Sequence, residues 1–346
     1  MLEPSVLHSE AIAGLVQRHY DLPDVLQVTP IATGSATCRK ITTVGGAFIL
    51  KEFPARYTPG DVRHEPVLNR YLAERGFPVG FFLATREGPF IWVYRDRVFH
   101  LQEYVEGNIA AQNQAPPWLL SASGRLLGRL HAILDGFGEL RRGFPETWFA
   151  LDVGVHVERY GALIEAAEAL PPGQTRDRVV HDLRYKSNLL PVLARMPFVP
   201  GDLTYRNSHG DYHVSQLICG EDAIRAVIDF SGACNLPATW EVIRSFTLAA
   251  PSCREARIEV AELVDYVKSY VAGGGRLDTV DLAAMPYLYL FHLARSDYGY
   301  RQFLHGDAPA ETRKHLLRFG FWRTQMCRYL ESHAPMLSDT LARLQM

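Results

Sequence analysis

The stretch SHGDYHVSQLICGEDAIRAVIDFSG, residues 208–232, places two aspartates at a spacing that suits phosphoryl transfer. Asp211 lies in the polar loop HGD, Gln216 follows five positions later, and Asp229 closes the apolar run AVID. Phosphoryl transfer needs one carboxylate to orient the attacking hydroxyl and another to hold magnesium against the oxygens of the nucleotide. This segment contains a candidate for each role.

The chain is long enough for two lobes around a cleft. Its 346 residues exceed the usual size of a single hydrophobic core, and 47% of them are hydrophobic. A predicted strand ends at Glu106, and a polar stretch with prolines follows it. We therefore expect an N-terminal nucleotide-binding lobe over residues 1–106 and a C-terminal catalytic and substrate lobe over residues 107–346.

Charge and cysteine content argue against several classes of protein. Lys and Arg number 36 against 38 Asp and Glu, a formal net charge of -2 that provides no bulk field for nucleic acid or an anionic membrane. The 5 cysteines are scattered without a CxxC pair, which disfavours a zinc site or a disulfide framework. The N-terminus indicates an amphipathic helix rather than a signal peptide, and no apolar run approaches the roughly 18 residues that span a bilayer. We expect a cytoplasmic protein with no nucleic acid and no membrane as partner.

Residues 26–53 predict a β-meander, because β-branched residues alternate and glycines punctuate the turns. The first turn, ATGSAT, contains Gly34 and Ser35. It is either an ordinary hairpin or a loop whose backbone N–H groups cover nucleotide phosphates. The third strand places Lys51 in an apolar run, where it is either a surface lysine with a buried stem or a phosphate ligand.

The following helix sharpens the interpretation of Lys51. Residues 61–75 carry apolar side chains at helical spacing, with Glu65 in the first turn. Glu65 either complements the helix dipole or holds the Lys51 ammonium on the α and β phosphates of a nucleotide. The backbone around Gln102 to Tyr104 either contacts adenine or forms a plain connection between the lobes.

Beyond Pro117 the pattern becomes helical. Apolar stripes predict helices over residues 118–137, 153–170, 176–196, 239–250, 255–271, 280–304 and 311–333. His131 lies within the first stripe and is predicted to be a satisfied core residue.

This succession of elements resembles the aminoglycoside phosphotransferase and choline kinase type family. Members typically show HGDxHxxN followed by hIDF, and the matching text here is HGDYHVSQ and VIDF. ILKEF, HEPVLNRYLAERGFPV, LQEYVEG and GRLLGRLHAI resemble further elements of the family, so that the resemblance covers residues 31–246. It implies an α+β, two-lobed protein-kinase-like fold with a small antiparallel-sheet N-lobe and a large, mainly helical C-lobe.

The resemblance also implies a role for each matching residue. Asp211 would be the catalytic aspartate, and Asp229 would ligate magnesium at the terminal phosphates. Lys51 would contact the nucleotide phosphates, with Glu65 as its anchor. Gln216 stands where the family usually has Asn as a second metal ligand; its amide oxygen suits a hard cation, but the additional methylene displaces it by ~1.5 Å.

Three further residues are expected to support this site. His209 would stabilise the loop by hydrogen bonding, and His213 would lie close behind it. Glu241 occupies a position where the family commonly has an aspartate; it either supports the catalytic loop or complements the dipole of its own helix. Ser231 replaces an acidic residue that often follows IDF.

These expectations describe an enzyme that transfers the terminal phosphate of ATP or GTP, with Mg²⁺, to a hydroxyl of a small molecule. A loose likeness to homoserine-kinase-like members favours a metabolic hydroxyl over an antibiotic. Two alternatives stay open: a degenerate kinase fold that binds nucleotide or a partner without efficient turnover, and a kinase of protein serine or threonine. The oligomeric state is left open.

Overall fold

The computed structural model describes residues 5–31, 36–144, 146–194 and 198–344. In these ranges the strands are β1 (Val25–Ile31), β2 (Thr37–Thr43), β3 (Gly46–Glu52), β4 (Ile91–Tyr94), β5 (Arg97–Glu103), β6 (Tyr205–Ser208), β7 (Leu217–Cys219), β8 (Ile224–Val227) and β9 (Cys234–Pro237). The helices are α1 (Ser9–His19), α2 (Pro59–Ala73), α3 (Pro117–Leu134), α4 (Glu146–Phe149), α5 (Val153–Glu168), α6 (Gln174–Leu193), α7 (Ala238–Ala249), α8 (Val260–Ala272), α9 (Thr279–Arg295), α10 (Tyr300–His305) and α11 (Ala310–Ala342).

These elements form two compact units. The first, which we call the sheet unit, contains the residues up to Ala110 together with Ser215–Ala233. The second, the helical unit, contains Ala111–Val214 together with the residues from Cys234 onward. The lobe boundary after Glu106 stays a prediction.

The sheet unit is built on an antiparallel sheet in the order β1-β2-β3-β5-β4. Because side chains alternate along a strand, one face of the sheet carries buried apolar residues such as Ile41, Leu50 and Leu101. The apolar stripe of α1, which includes Ile12 and Val16, packs against this face. The opposite face is thereby available for polar side chains.

The hairpin between β4 and β5 turns without the glycine that usually marks a two-residue turn. Arg95 and Asp96 both have positive φ, 48° and 60°, as a two-residue turn between twisted strands requires. A second turn lies at Glu87 and Gly88, where the Gly88 N–H donates to Thr85 O at 2.9 Å. It lies before β4 rather than between the paired strands.

The helical unit is organised by long helices and the short pair β6–β9. Helix α9 packs against α11, and α5 packs against α6. A helix was expected over residues 280–304, but α9 ends at Arg295 and α10 starts at Tyr300. The break contains Gly299 with a φ of 97°, where a Cβ would lie 2.8 Å from the Gly320 backbone of α11. Only glycine fits this close approach between the two segments without a shift.

Two other helix ends differ from the prediction. Helix α8 begins at Val260 rather than at residue 255, because Ala256 adopts a left-handed conformation with a φ of 54°. Helix α11 continues past His333 to Ala342, with Pro335 inside it. The small antiparallel sheet and the mainly helical remainder agree with the predicted fold class. Within the described residues, no helix combines the length and the apolarity that a membrane crossing requires.

Candidate active site

Lys51 lies in a buried ion cluster of the sheet unit. Because side chains alternate along β3, Lys51 and Leu50 point to opposite faces of the sheet. Leu50 lies on the face that packs against α1. Lys51 Nζ lies 2.9 Å from Asp229 Oδ1 and 3.7 Å from Glu65 Oε2. A capping box at Thr58 starts α2, and Glu65 follows on the buried face of that helix. The structure thus brings together three of the residues that the sequence singled out.

The charges of this cluster favour one another's ionised form. Burial alone would raise the pKa of Glu65, but the Lys51 ammonium and His100 outweigh it and hold this pKa at about 2. Burial alone would lower the pKa of Lys51, whereas Glu65 and Asp229 raise it above its ordinary value. Lys51 and Glu65 are therefore both ionised at neutral pH, and each avoids the cost of an unpaired buried charge.

Sequence reasoning missed His100. Strand β5 places it directly opposite Lys51 in the antiparallel register, and the ring is fully buried. His100 Nε2 lies 3.5 Å from Glu65 Oε2. Burial lowers the pKa of His100 against the opposing effect of Glu65, so the ring adds no charge at neutral pH. The available signal was a histidine within an apolar strand, but its partner follows only from the pairing of β3 with β5.

The ionisation of Glu65 predicts a pH dependence of stability. Its folded-state pKa of about 2 lies below the ordinary value of 4.5. The depressed pKa stabilises the fold above pH ~4.5, and this stabilisation is lost as the pH falls toward ~2. Over this window we expect the free energy of unfolding of the wild type to decrease by about 3 kcal/mol more than that of Glu65→Gln.

Denaturant titrations at several pH values measure this difference. The exposed Glu74→Gln, at the end of the same helix, is the control and should follow the wild type. Parallel pH profiles for wild type and Glu65→Gln would contradict the assignment of Glu65 as a buried, ionised carboxylate.

Asp229 adopts a left-handed backbone conformation just after β8. Its φ of 63° and ψ of 61° are uncommon for a residue other than glycine. Two donors contact the same carboxylate oxygen, Oδ1: Lys51 Nζ at 2.9 Å and Ser231 Oγ at 2.7 Å. Gln216 lies across the β7–β8 hairpin, where its backbone carbonyl oxygen accepts the Ile228 backbone N–H at 3.0 Å. The hairpin therefore holds Gln216 and Asp229 on neighbouring strand ends.

Lys51, Gln216 and Asp229 line one cavity of about 580 Å³ within the sheet unit. Apolar side chains contribute most of its wall: Ile31, Ala36, Ile49, Val105, Ile218 and Val227. A largely apolar cavity with a few polar groups is typical of a site for a small molecule or nucleotide.

The predicted connecting residues line the same cavity. Gln102 and Tyr104 belong to its wall. Two backbone N–H groups of this segment already have partners within the sheet unit. Tyr104 N donates to Ala47 O at 2.9 Å, and Glu103 N donates to Phe81 O at 2.8 Å. Gly34 and Ser35 of the first turn lie outside the described residues.

The donor set of this cavity suits a hard cation. Asp229 offers a carboxylate and Gln216 an amide oxygen, the ligand types that Mg²⁺ prefers. Within the described ranges, no group of three or more His, Cys, Asp and Glu side chains could hold a metal by itself. Mg²⁺ at nucleotides typically takes one or two protein ligands, phosphate oxygens and waters, so these two residues fit such an ion.

Asp211 belongs to a tightly held loop of the helical unit. The loop follows β6 and turns at Gly210, which has a φ of 80°. Glu241 Oε1 accepts the Gly210 N–H at 2.7 Å and the Tyr212 N–H at 3.4 Å. His209 is fully buried, and its Nδ1 accepts the Asp211 N–H at 3.3 Å. The backbone on both sides of Asp211 is thereby fixed.

The Asp211 carboxylate is partly exposed and faces two basic side chains. Arg244 donates to Oδ1, and His213 Nε2 lies 3.6 Å from Oδ2. Burial alone would raise the pKa of Asp211, but His213 and Arg244 lower it well below its ordinary value. Asp211 is therefore ionised at neutral pH. Arg244, which the sequence analysis did not single out, lies three positions after Glu241 on α7.

Glu241 connects this loop to the core. The side chain is fully buried, and Oε2 lies 2.9 Å from His131 Nε2, whose Nδ1 lies 2.8 Å from Tyr270 Oη. His131 is thus a satisfied core residue, as predicted. Burial would raise the pKa of Glu241, but the contact with His131 lowers it. Glu241 stands in the first turn of α7, where it can complement the helix dipole, and it also accepts hydrogen bonds from the loop around Asp211. Both alternatives from the sequence therefore agree with its surroundings.

A model of the phosphotransferase enzyme family matches residues 27–278 of the chain. A curated relative, described as a homoserine kinase of Zymomonas mobilis subsp. mobilis, is 24% identical over 241 residues, which are 69% of this chain and 69% of the relative.

Solved structures share the fold. An amicoumacin kinase in complex with AMP-PNP, Ca²⁺ and Ami has a TM-score of 0.61 and 16% identity, over 92% of this chain and 93% of that one. A spectinomycin phosphotransferase in complex with ADP and spectinomycin has a TM-score of 0.62 and 13% identity, over 94% of this chain and 99% of that one. These neighbours are protein-kinase-like phosphotransferases, which confirms the predicted fold class.

Proposed function

The chain belongs to the phosphotransferase enzyme family, and from this premise we propose that it transfers the terminal phosphate of a nucleoside triphosphate, ATP or GTP, to a hydroxyl of a small molecule. The observation that carries this proposal is the ion cluster of Lys51, Glu65 and Asp229, which lines a cavity of about 580 Å³ together with Gln216.

In the sheet unit, Lys51 would bind nucleotide phosphates and Glu65 would keep the ammonium in place. The Lys51 charge is permanent at neutral pH, so it can neutralise phosphate oxygens without a change of protonation. Asp229 and Gln216 would hold Mg²⁺, which supplies positive charge against the phosphates when it is bound. The nucleobase of the nucleotide would lie against Gln102 and Tyr104.

In the helical unit, Asp211 would orient the acceptor hydroxyl and take its proton. Its ionised carboxylate is half-exposed, while Glu241 and His209 fix the backbone beside it. A strongly basic group is not needed, because the transition state of phosphoryl transfer is largely dissociative and positioning dominates. His213 would keep the carboxylate ionised.

Acceptor-dependent formation of ADP or GDP tests the proposal. The full chain is incubated with ATP or GTP, Mg²⁺ and a panel of alcohols that includes homoserine, the substrate in the relative's description. We expect turnover with one class of acceptor, together with nucleotide-induced thermal stabilisation that depends on Mg²⁺. Stabilisation without metal dependence and no turnover across the panel would instead indicate a nucleotide-binding protein without catalysis.

Gln216→Asn tests the altered metal ligand. The substitution shortens the side chain by one methylene, ~1.5 Å, and we expect Mg²⁺ to be held equally well or better, because near-octahedral geometry becomes easier to reach. The measurement is the Mg²⁺ concentration for half-maximal rate. The exposed Gln114→Asn is the control. A large rise in that concentration with a loss of rate would show that the cavity is adapted to glutamine.

A further inference from the structure

Five buried side-chain donors in the helical unit have no hydrogen-bond partner among the described residues, and three of them belong to one group of neighbouring side chains. These three are Trp240 Nε1, Arg244 Nη1 and Arg323 Nε. Trp240 and Arg244 lie one turn apart on α7, so they share a face of that helix, and Arg323 lies on α11. A buried donor without an acceptor destabilises the fold, so three of them in one group indicate a missing acceptor.

His292 on α9 connects these residues into one donor cluster, defined as Trp240, Arg244, His292 and Arg323. Arg323 Nη2 lies 3.3 Å from His292 Nε2, and the His292 ring lies 5.2 Å from the Trp240 ring. The Arg244 guanidinium lies 5.4 Å from the Trp240 ring. Burial lowers the pKa of His292 well below its ordinary value, and Arg323 and Arg244 lower it further, so this ring is neutral.

The donor cluster carries an excess positive charge. Arg323 is only 8% exposed, and within the described residues no carboxylate lies within ion-pair distance of it. Arg244 is paired with Asp211. Lys186, whose charge also acts on His292, donates to Ser296 O at 2.5 Å. One guanidinium charge, that of Arg323, is therefore left without a counter-charge.

Such a guanidinium destabilises the fold unless a ligand compensates it. An isolated buried charge is strongly unfavourable, and buried charges in proteins are accordingly paired or bind a ligand. The surrounding groups are also donors or neutral. They are the indole N–H of Trp240, Arg244 Nη1 and the neutral imidazole of His292. The cluster is therefore suited to a ligand group that carries one negative charge and has more than one hydrogen-bond acceptor atom. A carboxylate is such a group.

We propose that the donor cluster binds the carboxylate of the acceptor substrate, which would make the acceptor a small hydroxy acid or hydroxy amino acid. The inference rests on the proposed function and specifies its substrate class. Arg244 connects the cluster with the proposed catalytic aspartate, because its Nη2 contacts the Asp211 carboxylate while its Nη1 is buried and has no hydrogen-bond partner among the described residues. The side chain of Arg244 is 17% exposed and that of Asp211 is 46% exposed, so a ligand at Asp211 would lie beside a partly accessible guanidinium.

Matched acceptors that differ only in the carboxylate test this assignment. The pairs are homoserine with homoserine amide, and glycerate with glycerol, given to wild type, Arg323→Gln, Arg323→Lys and the control Arg318→Gln, an exposed arginine on the same helix. We expect the wild type to prefer the carboxylate member of the pair that it phosphorylates. Arg323→Gln should raise KM for that member about 10- to 100-fold, as the loss of one charged hydrogen-bond partner implies.

In Arg323→Gln the KM for nucleotide and the KM for the neutral member should change much less than the KM for the carboxylate member, whereas a general loss of structure would affect all three alike. Arg323→Lys keeps the charge and should retain part of the preference. Calorimetric titration of homoserine and glycerate without nucleotide measures the carboxylate site independently of turnover.

The two proposals fail in different ways. If no acceptor is phosphorylated but a carboxylate binds the wild type and not Arg323→Gln, the site stands and the proposed phosphoryl transfer fails. If turnover occurs without preference for the carboxylate member and Arg323→Gln behaves like Arg318→Gln, the carboxylate site is overturned and the phosphotransferase stands.

Discussion

Asp211→Asn is expected to reduce kcat of phosphoryl transfer by about 10²- to 10⁴-fold, the range over which a positioned base contributes. The amide keeps the size of the side chain but accepts no proton and orients a hydroxyl less strongly. Nucleotide binding should persist, because Lys51, Glu65 and Asp229 belong to the sheet unit and are unchanged. Steady-state rates and nucleotide titrations on the same preparation separate the two effects.

Asp202→Asn is the matched control, because Asp202 is exposed in the segment just before β6. It should leave both rate and nucleotide affinity unchanged. Near-normal turnover of Asp211→Asn would mean that Asp211 is not the carboxylate that acts on the acceptor. The partial exposure of Asp211 makes a large change in stability unexpected.

Asp229→Asn is expected to lower kcat/KM about a thousandfold, the equivalent of ~4 kcal/mol at ~1.4 kcal/mol per factor of ten. Asparagine tolerates the left-handed backbone at this position, where φ is 63°. Its Oδ1 can still accept from Ser231, and Lys51 keeps Glu65 as a counter-charge. The variant therefore removes the carboxylate charge with little disturbance of the fold.

The signature of a lost metal ligand is the Mg²⁺ dependence. In Asp229→Asn the nucleotide-induced rise in melting temperature should no longer increase with Mg²⁺, whereas it should in the wild type. Asp222→Asn, an exposed aspartate in the β7–β8 turn, is the control. An unchanged metal dependence in Asp229→Asn would remove this residue from the proposed magnesium site.

Much of the fold follows from local patterns in the sequence. Alternation predicts the meander of β1 to β3, and helical periodicity predicts the long helices. Features set by distant contacts were not predictable in this way. The break before α10 depends on the approach of Gly299 to Gly320, and the β4–β5 turn uses Arg95 and Asp96 without the glycine that is usual in such a turn.

Only part of the candidate site could likewise be predicted from the sequence. Lys51, Glu65 and Asp229 were found because spacing and motif mark them, and the structure brings them together. His100 and Arg323 carry no motif. The role of His100 follows from the β3–β5 register, and that of Arg323 from the packing of α11 against α9. Burial and missing partners, which only coordinates reveal, identify such residues.

The composition of the sheet unit has a consequence for how the chain is made. Its β7–β8 hairpin, with Gln216 and Asp229, is encoded after the whole of Ala111–Val214. During synthesis Lys51 and Glu65 leave the ribosome long before Asp229, so the nascent sheet unit lacks one of its carboxylates until the hairpin arrives. A fragment that stops at Ala110 would remain in that incomplete state, and an independently folding sheet unit needs residues 215–233 to be joined to it by a new connection.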